Sequence, residues 1–546
     1  MMRKRFILHP FLFAIAPILT LYGSNASQMS LTELIAPIGV TLTLVILLQE
    51  FLYLTYVDRL KAGIASSCFW TLFFTYGHLV NILRSFHLIH LSEPETGIFV
   101  LMVSLLIAIL VLLSRTRANL RRVSYFFNIT AIFLVAYSTV DIGAYEIARS
   151  RYVGGSNIDG LSSGAPLQSK DISKFPDIYY IILDGYAGDE ILRKYYKHDN
   201  SDFTRFLKAK GFYVAHNGRS NYCQTCLSLS SSLNCAYLTD LTRQIGTKLN
   251  DRKPLEWLIE ESRVAHILKQ YGYKTVAFES GYESTELSNA DVYSRRSVSL
   301  TEFQHGILSL TPAPRVLSCF CALFGGTSWL DQYGLSRKRV DYAFDQLPKA
   351  SRLKEPVFVF AHIVAPHPPF IFGRNGEAVK QTRPYGMFDG SNFLNCGGTR
   401  EEYVKGYRDQ LVYVNKRMKM VLSEILSESG RPKVILLQAD HGPGSMLDWE
   451  NPSRSNVGER MSILQAYYFP DHDYSLLVKT RPTPVNSFRI VFNHFFQMHY
   501  PLLDDRSYFS TWSRPYKLID VTDKLEAPDS EAILRQRRDH MQLPRR

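Results

Sequence analysis

Residues 174–190 read KFPDIYYIILDGYAGDE, and residues 220–238 read SNYCQTCLSLSSSLNCAYL. The first holds an unbroken apolar run, Ile178 to Leu183, that stops at a carboxylate, Asp184, followed by Gly185. Apolarity without alternation is the pattern of a strand buried on both faces, so a strand is expected over Asp177–Leu183 with Asp184 where the chain leaves it. The second stretch places Thr225 just ahead of an apolar, helix-like segment, Leu227–Leu238. A hydroxyl there sits near backbone N–H groups that favour negative charge. Further on, the run Lys433–Gln438 is a second strand of the same kind, and it leads into Asp440-His441-Gly442.

The rest of the polar region fits around these strands. Strands are expected at Tyr273–Phe278, Pro356–Ile363 and Leu464–Phe469, and helices at Asp202–Lys210, Ser262–Tyr271, Arg400–Ser427 and Pro484–Met498. Strands that alternate with helices predict an α/β domain with a mostly parallel central sheet covered by helices on both faces. Ligands on such sheets bind at the carboxyl ends of strands. Asp184, His362 and Asp440 all fall at such ends.

Upstream the composition changes. Five apolar segments, Phe6–Gln28, Leu34–Tyr56, Gly63–Leu83, Gly97–Ser114 and Val123–Val140, carry among them a single charged residue, Glu50. Each is close to the length of a membrane-spanning helix. Arg3, Lys4 and Arg5 precede the first, but no small-residue cleavage site follows, so the first segment is expected to stay as a helix rather than leave as a signal peptide. Positive residues gather before helix one, between helices two and three (Arg59, Lys61) and between helices four and five (Arg115, Arg117, Arg121, Arg122). By the positive-inside rule the amino terminus is cytoplasmic. Five crossings then place the polar domain in the periplasm or outside the cell. The expected organisation is a membrane domain of five helices (1–148), a Gly/Ser-rich linker (149–176), a catalytic domain (177–500) and a carboxyl-terminal extension with a basic tail (501–546). The expected location is a bacterial inner membrane.

The net charge of +12 divides between the cytoplasmic loops and the tail around Arg537, Arg538, Arg545 and Arg546. An exported domain without an interleaved aromatic-basic platform is not a nucleic-acid binder. Six cysteines (Cys223, Cys226, Cys235, Cys319, Cys321, Cys396) would face an oxidising compartment, where some pairing is expected but no particular pair is dictated. Cys223-Gln-Thr-Cys226 has a zinc-like spacing but no matching second pair.

Two strand-end carboxylates, a histidine and a helix-start hydroxyl are the parts of a metal-assisted phosphoryl or sulfuryl transfer site. Each has a plainer alternative: Asp184 and Thr225 as helix caps, Asp440-His441 as a polar turn. His362 and His367 lie in FAHIVAPHPPF, where Pro366, Pro368 and Pro369 stiffen the loop. They are placed to bind substrate or to move a proton.

Taken together, the strand ending in DGY, the stretch NYCQTCLSLSSSLN, AHIVAPHPPF and DHG resemble the alkaline phosphatase superfamily. The similarity is to its membrane-anchored, sulfatase-like branch of lipoteichoic acid synthases and phosphoethanolamine transferases. It covers about Asp177 to Tyr500, and five amino-terminal helices also match those transferases. The resemblance implies that Asp184, Thr225, Asp440 and His441 bind one divalent metal, with Thr225 as nucleophile and His362 and His367 lining the substrate pocket. Manganese, zinc and magnesium remain open. Aldehyde-forming sulfatases carry a C-x-P-x-R pattern that neither Cys223 nor Cys226 begins, which argues against that chemistry. No further histidine occurs between Gly442 and Pro470, so a second metal lacks its usual ligand, and Arg460 becomes the candidate anion clamp. The expected reaction is transfer of a phosphodiester headgroup through a covalent threonine intermediate, with a membrane lipid or envelope glycan as substrate. Alternatives are hydrolysis with water as acceptor, sulfuric ester hydrolysis, or a catalytically silent membrane protein that binds envelope polymer.

Overall fold

The computed structural model describes residues 7–85, 94–153, 175–296, 300–324, 331–380, 383, 385–480 and 482–526. Most of the linker, the charges Arg3 to Arg5, the side chains of Cys319 and Cys321, and the basic tail lie outside the described residues. The chain divides into two compact units, one of residues 1–155 with 298–331, the other of residues 156–297 with 332–546.

In the first unit, the described residues of 7–153 form five long helices, α1 (His9–Asn25), α2 (Ile35–Tyr56), α3 (Arg59–Ser85), α4 (Pro94–Arg115) and α5 (Arg121–Val153), and the segment from 298 adds two shorter ones, Glu302–Ser309 and Ala313–Phe324. Three of these stretches, Leu31–Tyr56, Glu95–Arg115 and Arg121–Ser150, are long and apolar enough to cross a membrane. α1 has only 17 residues, and α3 carries Ser66, Ser67, His78 and Asn81 along its length. Polar side chains tie the bundle together. The His9 ring lies 2.6 Å from Ser67 Oγ and 3.0 Å from Ser124 Oγ, and Tyr22 Oη donates to Glu146 at 3.0 Å. The segment Val298–Asp331 also belongs to this unit, although the sequence places it inside the catalytic stretch.

The second unit is built on a seven-stranded sheet. Its strands are β1 (Asp177–Leu183), β2 (Tyr213–Val214), β3 (Lys274–Phe278), β4 (Val292–Ser294), β5 (Val357–Ile363), β6 (Lys433–Gln438) and β7 (Gln465–Tyr468), in the order β2-β7-β6-β1-β5-β3-β4. β1, β3, β4, β5 and β6 run parallel, whereas β7 is antiparallel to both β6 and β2. The sheet is therefore mixed: its five-strand body is parallel, in line with the mostly parallel sheet expected, and its β7–β2 edge brings in antiparallel pairing. Composition reports that a strand is buried but not which way it runs.

All seven residues of β1 are buried. Tyr179, Ile181 and Leu183 enter one core with the helix Arg400–Ser427, and Ile178, Tyr180 and Ile182 enter the other with Leu229, Leu233 and Phe488. Each such aliphatic side chain contributes roughly 1.5–3 kcal/mol on burial, which fixes the register of the central strand. The register sets Ile182 beside both His362 of β5 and Gln438 of β6. The carboxyl ends of the three central strands therefore open onto one place. A small antiparallel pair, β8 (Tyr508–Phe509) with β9 (Ile519–Asp520), completes the unit.

Candidate active site

The chain turns sharply as it leaves β1. Gly185 has φ +71°, a backbone conformation that side chains of the L series rarely adopt. The turn aims the Gly185 N–H at Asp440 Oδ1, 3.2 Å away, and the His367 N–H donates to the Asp184 carbonyl at 3.0 Å. Beyond β6, Gly442 is required for a different reason. A Cβ there would lie 2.1 Å from the Glu459 carbonyl oxygen, so Asp440 and His441 hold their place only because the next residue has no side chain.

Thr225 is the first residue of the helix Thr225–Asn234, two residues earlier than the sequence suggests, and every residue of that helix is buried. Its Oγ1 lies 3.0 Å from His441 Nε2. The other hydroxyls of the helix are engaged elsewhere. Ser228 donates to the Asp440 carbonyl at 2.6 Å, Ser230 to the Cys226 carbonyl at 2.6 Å, Ser231 to the Ala236 carbonyl at 2.7 Å, and Ser232 accepts from Tyr180 Oη at 2.8 Å.

Asp184, Asp440 and His441 offer ligand atoms that all lie within 4.8 Å of one another. His441 Nε2 is 3.2 Å from Asp440 Oδ2 and 3.6 Å from Asp184 Oδ1. Those two carboxylate oxygens are buried and accept no hydrogen bond. Anionic oxygens without partners are costly inside a protein unless a cation joins them. Two such oxygens, an imidazole nitrogen and a hydroxyl are a fitting donor set for a divalent metal.

The surrounding groups carry charge. Burial alone would push the Asp184 carboxyl up, but His367, His362 and His441 outweigh it and hold the group well below the usual carboxylate range. Burial and then the Arg460 charge lower His441. His362 has Nδ1 2.7 Å from Thr285 Oγ1 and Nε2 3.3 Å from Asp184 Oδ2. His367 sits 3.6 Å from Asp389 Oδ2, with its ring 6.0 Å from that of His441. Against the lowering effect of burial, Asp184 and Asp389 bring His367 up to about 9.

Asp389 and Thr285 are site residues that sequence reasoning misses. Neither follows a buried strand, and each acquires its partner only through the fold. Arg460 departs from the anion clamp expected of it. It is 1 % exposed, its Nη1 donates to Asp389 Oδ2 at 2.6 Å and to the Gly442 carbonyl at 2.9 Å, and its Nε donates to the Cys223 carbonyl at 2.8 Å. It thereby ties the Asp440 loop to the residues leading into Thr225. The described cysteines Cys68, Cys223, Cys226, Cys235 and Cys396 are free, and burial pushes the Cys226 thiol up to about 11.

Thr225 is also held from the carboxyl-terminal side. The Ser507 hydroxyl donates to the Ser220 carbonyl at 2.6 Å, and the Tyr508 N–H to the Asn221 carbonyl at 2.8 Å. The Gln224 amide donates to Ser510 Oγ at 2.9 Å and to the Thr511 carbonyl at 3.0 Å. Arg252 stacks 3.9 Å over the Trp512 ring and reaches the Trp512 carbonyl at 2.7 Å.

A family model described as sulfatase matches residues 176–471, more than half of the chain. No curated protein matches. Among solved structures, the chain is similar to the integral membrane protein lipooligosaccharide phosphoethanolamine transferase A from Neisseria meningitidis. That likeness has 13 % identity and a TM-score of 0.39, and covers 89 % of this chain and 95 % of that one. It is also similar to the C-terminal periplasmic domain of EcEptC from Escherichia coli in complex with zinc (13 % identity, TM-score 0.41, 64 % and 94 % covered). A third likeness is to the corresponding domain of phosphoethanolamine transferase EptC from Campylobacter jejuni (11 % identity, TM-score 0.38, 59 % and 90 % covered).

Proposed function

The chain belongs to the sulfatase family, within the alkaline phosphatase superfamily, and from that premise we propose that it is a membrane-anchored, metal-dependent enzyme that transfers or hydrolyses a phosphodiester-linked headgroup through a covalent intermediate on Thr225. One observation carries this reading. Two buried, unpartnered carboxylate oxygens, on Asp184 and Asp440, surround His441 Nε2, and Thr225 Oγ1 lies 3.0 Å from that nitrogen.

Asp184, Asp440, His441 and the Thr225 oxygen would hold one divalent metal. When bound, it supplies positive charge that favours the alkoxide of Thr225 and offsets charge on the phosphoryl oxygens. The oxygen-rich donor set suits manganese or magnesium, and the nearby histidines suit zinc. Thr225 Oγ1, its proton already passed to water, attacks phosphorus as the alkoxide that the second half regenerates, and the new Oγ1–P bond forms as the bond to the departing alcohol breaks. His362 or His367 donates a proton to that alcohol. In the second half, an acceptor alcohol on a lipid or glycan returns its proton to the same histidine and attacks phosphorus, which frees Thr225. Water in place of the acceptor makes the reaction a hydrolysis.

Asp389 and Thr285 are positioning residues, since each holds the ring of one of these histidines. The reading also includes five crossings, a cytoplasmic amino terminus and a catalytic unit outside the cytoplasm. It is supported by the clustering of Arg59, Lys61, Arg115, Arg117, Arg121 and Arg122 in alternate loops.

Intact-mass measurement of the full chain in detergent, after incubation with membrane lipids, tests the proposal. A mass increase that maps to Thr225 and is absent from Thr225→Ala is expected, and its size names the group carried. Full turnover by Thr225→Ala would overturn it.

A further inference from the structure

The helix Arg400–Ser427 changes character along its buried side. From Leu411 onward the side chains it buries are mostly apolar, among them Leu411, Val414, Met418, Leu422 and Ile425, and they join the core that β1 enters. Ahead of them stand Tyr403, Tyr407 and Gln410, spaced four and three residues apart and so on one face. All three are 2 % exposed or less. Polar groups at that depth are costly unless they are hydrogen-bonded, and each of these bonds to a loop of the candidate active site.

Tyr407 Oη donates to the Gly185 carbonyl at 2.9 Å and accepts from the Ala187 N–H at 3.0 Å. It straps the turn that follows Asp184, the same turn whose Gly185 N–H reaches Asp440. Three residues on, the Gln410 amide donates to the His367 carbonyl at 2.9 Å, and its oxygen accepts from the Ile371 and Phe372 N–H groups at 2.7 and 3.2 Å. It thus closes the proline-rich loop from His367 to Phe372. Tyr403 Oη donates to Asp389 Oδ1 at 2.6 Å and accepts from the Gly444 N–H at 2.9 Å, so it joins the partner of His367 to the loop beyond His441. The rings of Tyr403 and Tyr407 stack at 6.4 Å, 9° from parallel. Gly406 lets the helix come this close, because a Cβ there would lie 2.4 Å from the Phe370 ring.

Resting on the catalytic reading above, we infer that Tyr407 and Gln410 are positioning residues with separate duties. Tyr407 sets the carboxylate of Asp184 for the metal, and Gln410 sets His367 against the substrate. Both act through the backbone of the loop they hold. One helix face thereby fixes the spacing between the metal end and the proton-transfer end of the site.

The test uses the full chain in detergent. Metal binding is read by calorimetry with manganese and with zinc, and turnover on bis-para-nitrophenyl phosphate with the tighter of the two at saturation. Tyr407→Phe is expected to weaken binding of that metal by about tenfold or more, while kcat at saturation stays close to the parent's. Gln410→Met is expected to lower kcat by about tenfold or more, with KM and metal affinity close to the parent's. Ile425→Ala, about four turns further along the same helix, is the control for a merely structural effect. It should lower the melting temperature and leave both readouts in place. Metal binding by Tyr407→Phe as tight as the parent's would overturn the inference, as would a loss of kcat in Gln410→Met no greater than in Ile425→Ala. Should Tyr407→Phe fail to melt cooperatively, the Gln410→Met arm decides alone. A parent chain that binds neither metal would overturn the catalytic reading first, and this inference with it.

Discussion

Replacing Thr225 by alanine removes one oxygen and leaves Asp184, Asp440 and His441 in place. Turnover is expected to fall by about a thousandfold or more, while metal content measured by mass spectrometry stays stoichiometric with protein. Asp389→Asn keeps the shape but removes the charge beside His367. A drop of roughly 10–100-fold in kcat with little change in KM is expected, the size typical of a group that orients another. Asp177, at the far end of the same strand, gives a prediction about stability. Burial, against a hydrogen bond from the Val357 N–H and the charges of Arg431 and Lys433, pushes its carboxyl from 3.8 up to about 6. The folded state therefore prefers the protonated acid. That contribution is fully present below about pH 3.8, declines as pH rises, and is gone above about pH 6. Asp177→Asn is consequently expected to gain stability relative to the parent between acid and neutral pH, by roughly 1–3 kcal/mol, as read from melting curves at several pH values. Asp184, Thr225, Asp440 and His441 could be named from the chain because each stands at the end of an apolar run or the start of a helix. The sequence offers Arg460 only as the nearest cation to Asp440-His441-Gly442, and its buried pairing with Asp389 depends on a loop that no periodicity encodes.

Elements legible in the sequence were those with one dominant signal. β1 and the helix Arg400–Ser427 have the predicted boundaries, the first because its apolarity is unbroken, the second because it opens with a Thr399/Glu402 capping box. The two-residue β2 and three-residue β4 lack enough chain to show a period. The helices at Glu302–Ser309 and Ala313–Phe324 are too short to read as membrane segments, so their membership in the membrane unit was hidden. Gly77 is the element-scale test of that packing, since a Cβ there would lie 2.2 Å from the Ser309 carbonyl oxygen. Gly77→Leu is expected to lower the melting temperature and to expose residues around Leu310 to proteolysis, because α3 could no longer approach the Ser309 carbonyl.

For the whole molecule, the metal site links function to stability. Removing bound metal with a chelator leaves two carboxylate oxygens buried without partners, and a binder of the native state alone stabilises by mass action. The thermal transition should therefore fall on chelation, by an amount that grows with the free metal previously present, and recover when manganese, zinc or magnesium is restored. The metal that restores it at the lowest concentration identifies the one the site prefers. A transition unmoved by chelation in protein shown to have lost its metal would argue that the carboxylates are satisfied in another way.

The clasp that Ser507 to Trp512 place around Gln224 joins parts of the chain that are far apart in sequence: Gln224 and Ser510 are separated by 286 residues, Ser220 and Ser507 by 287. The run into Thr225 therefore settles only after a contact of very long range has closed, and a cut within Ser507 to Trp512 would leave the seven strands whole while freeing that run.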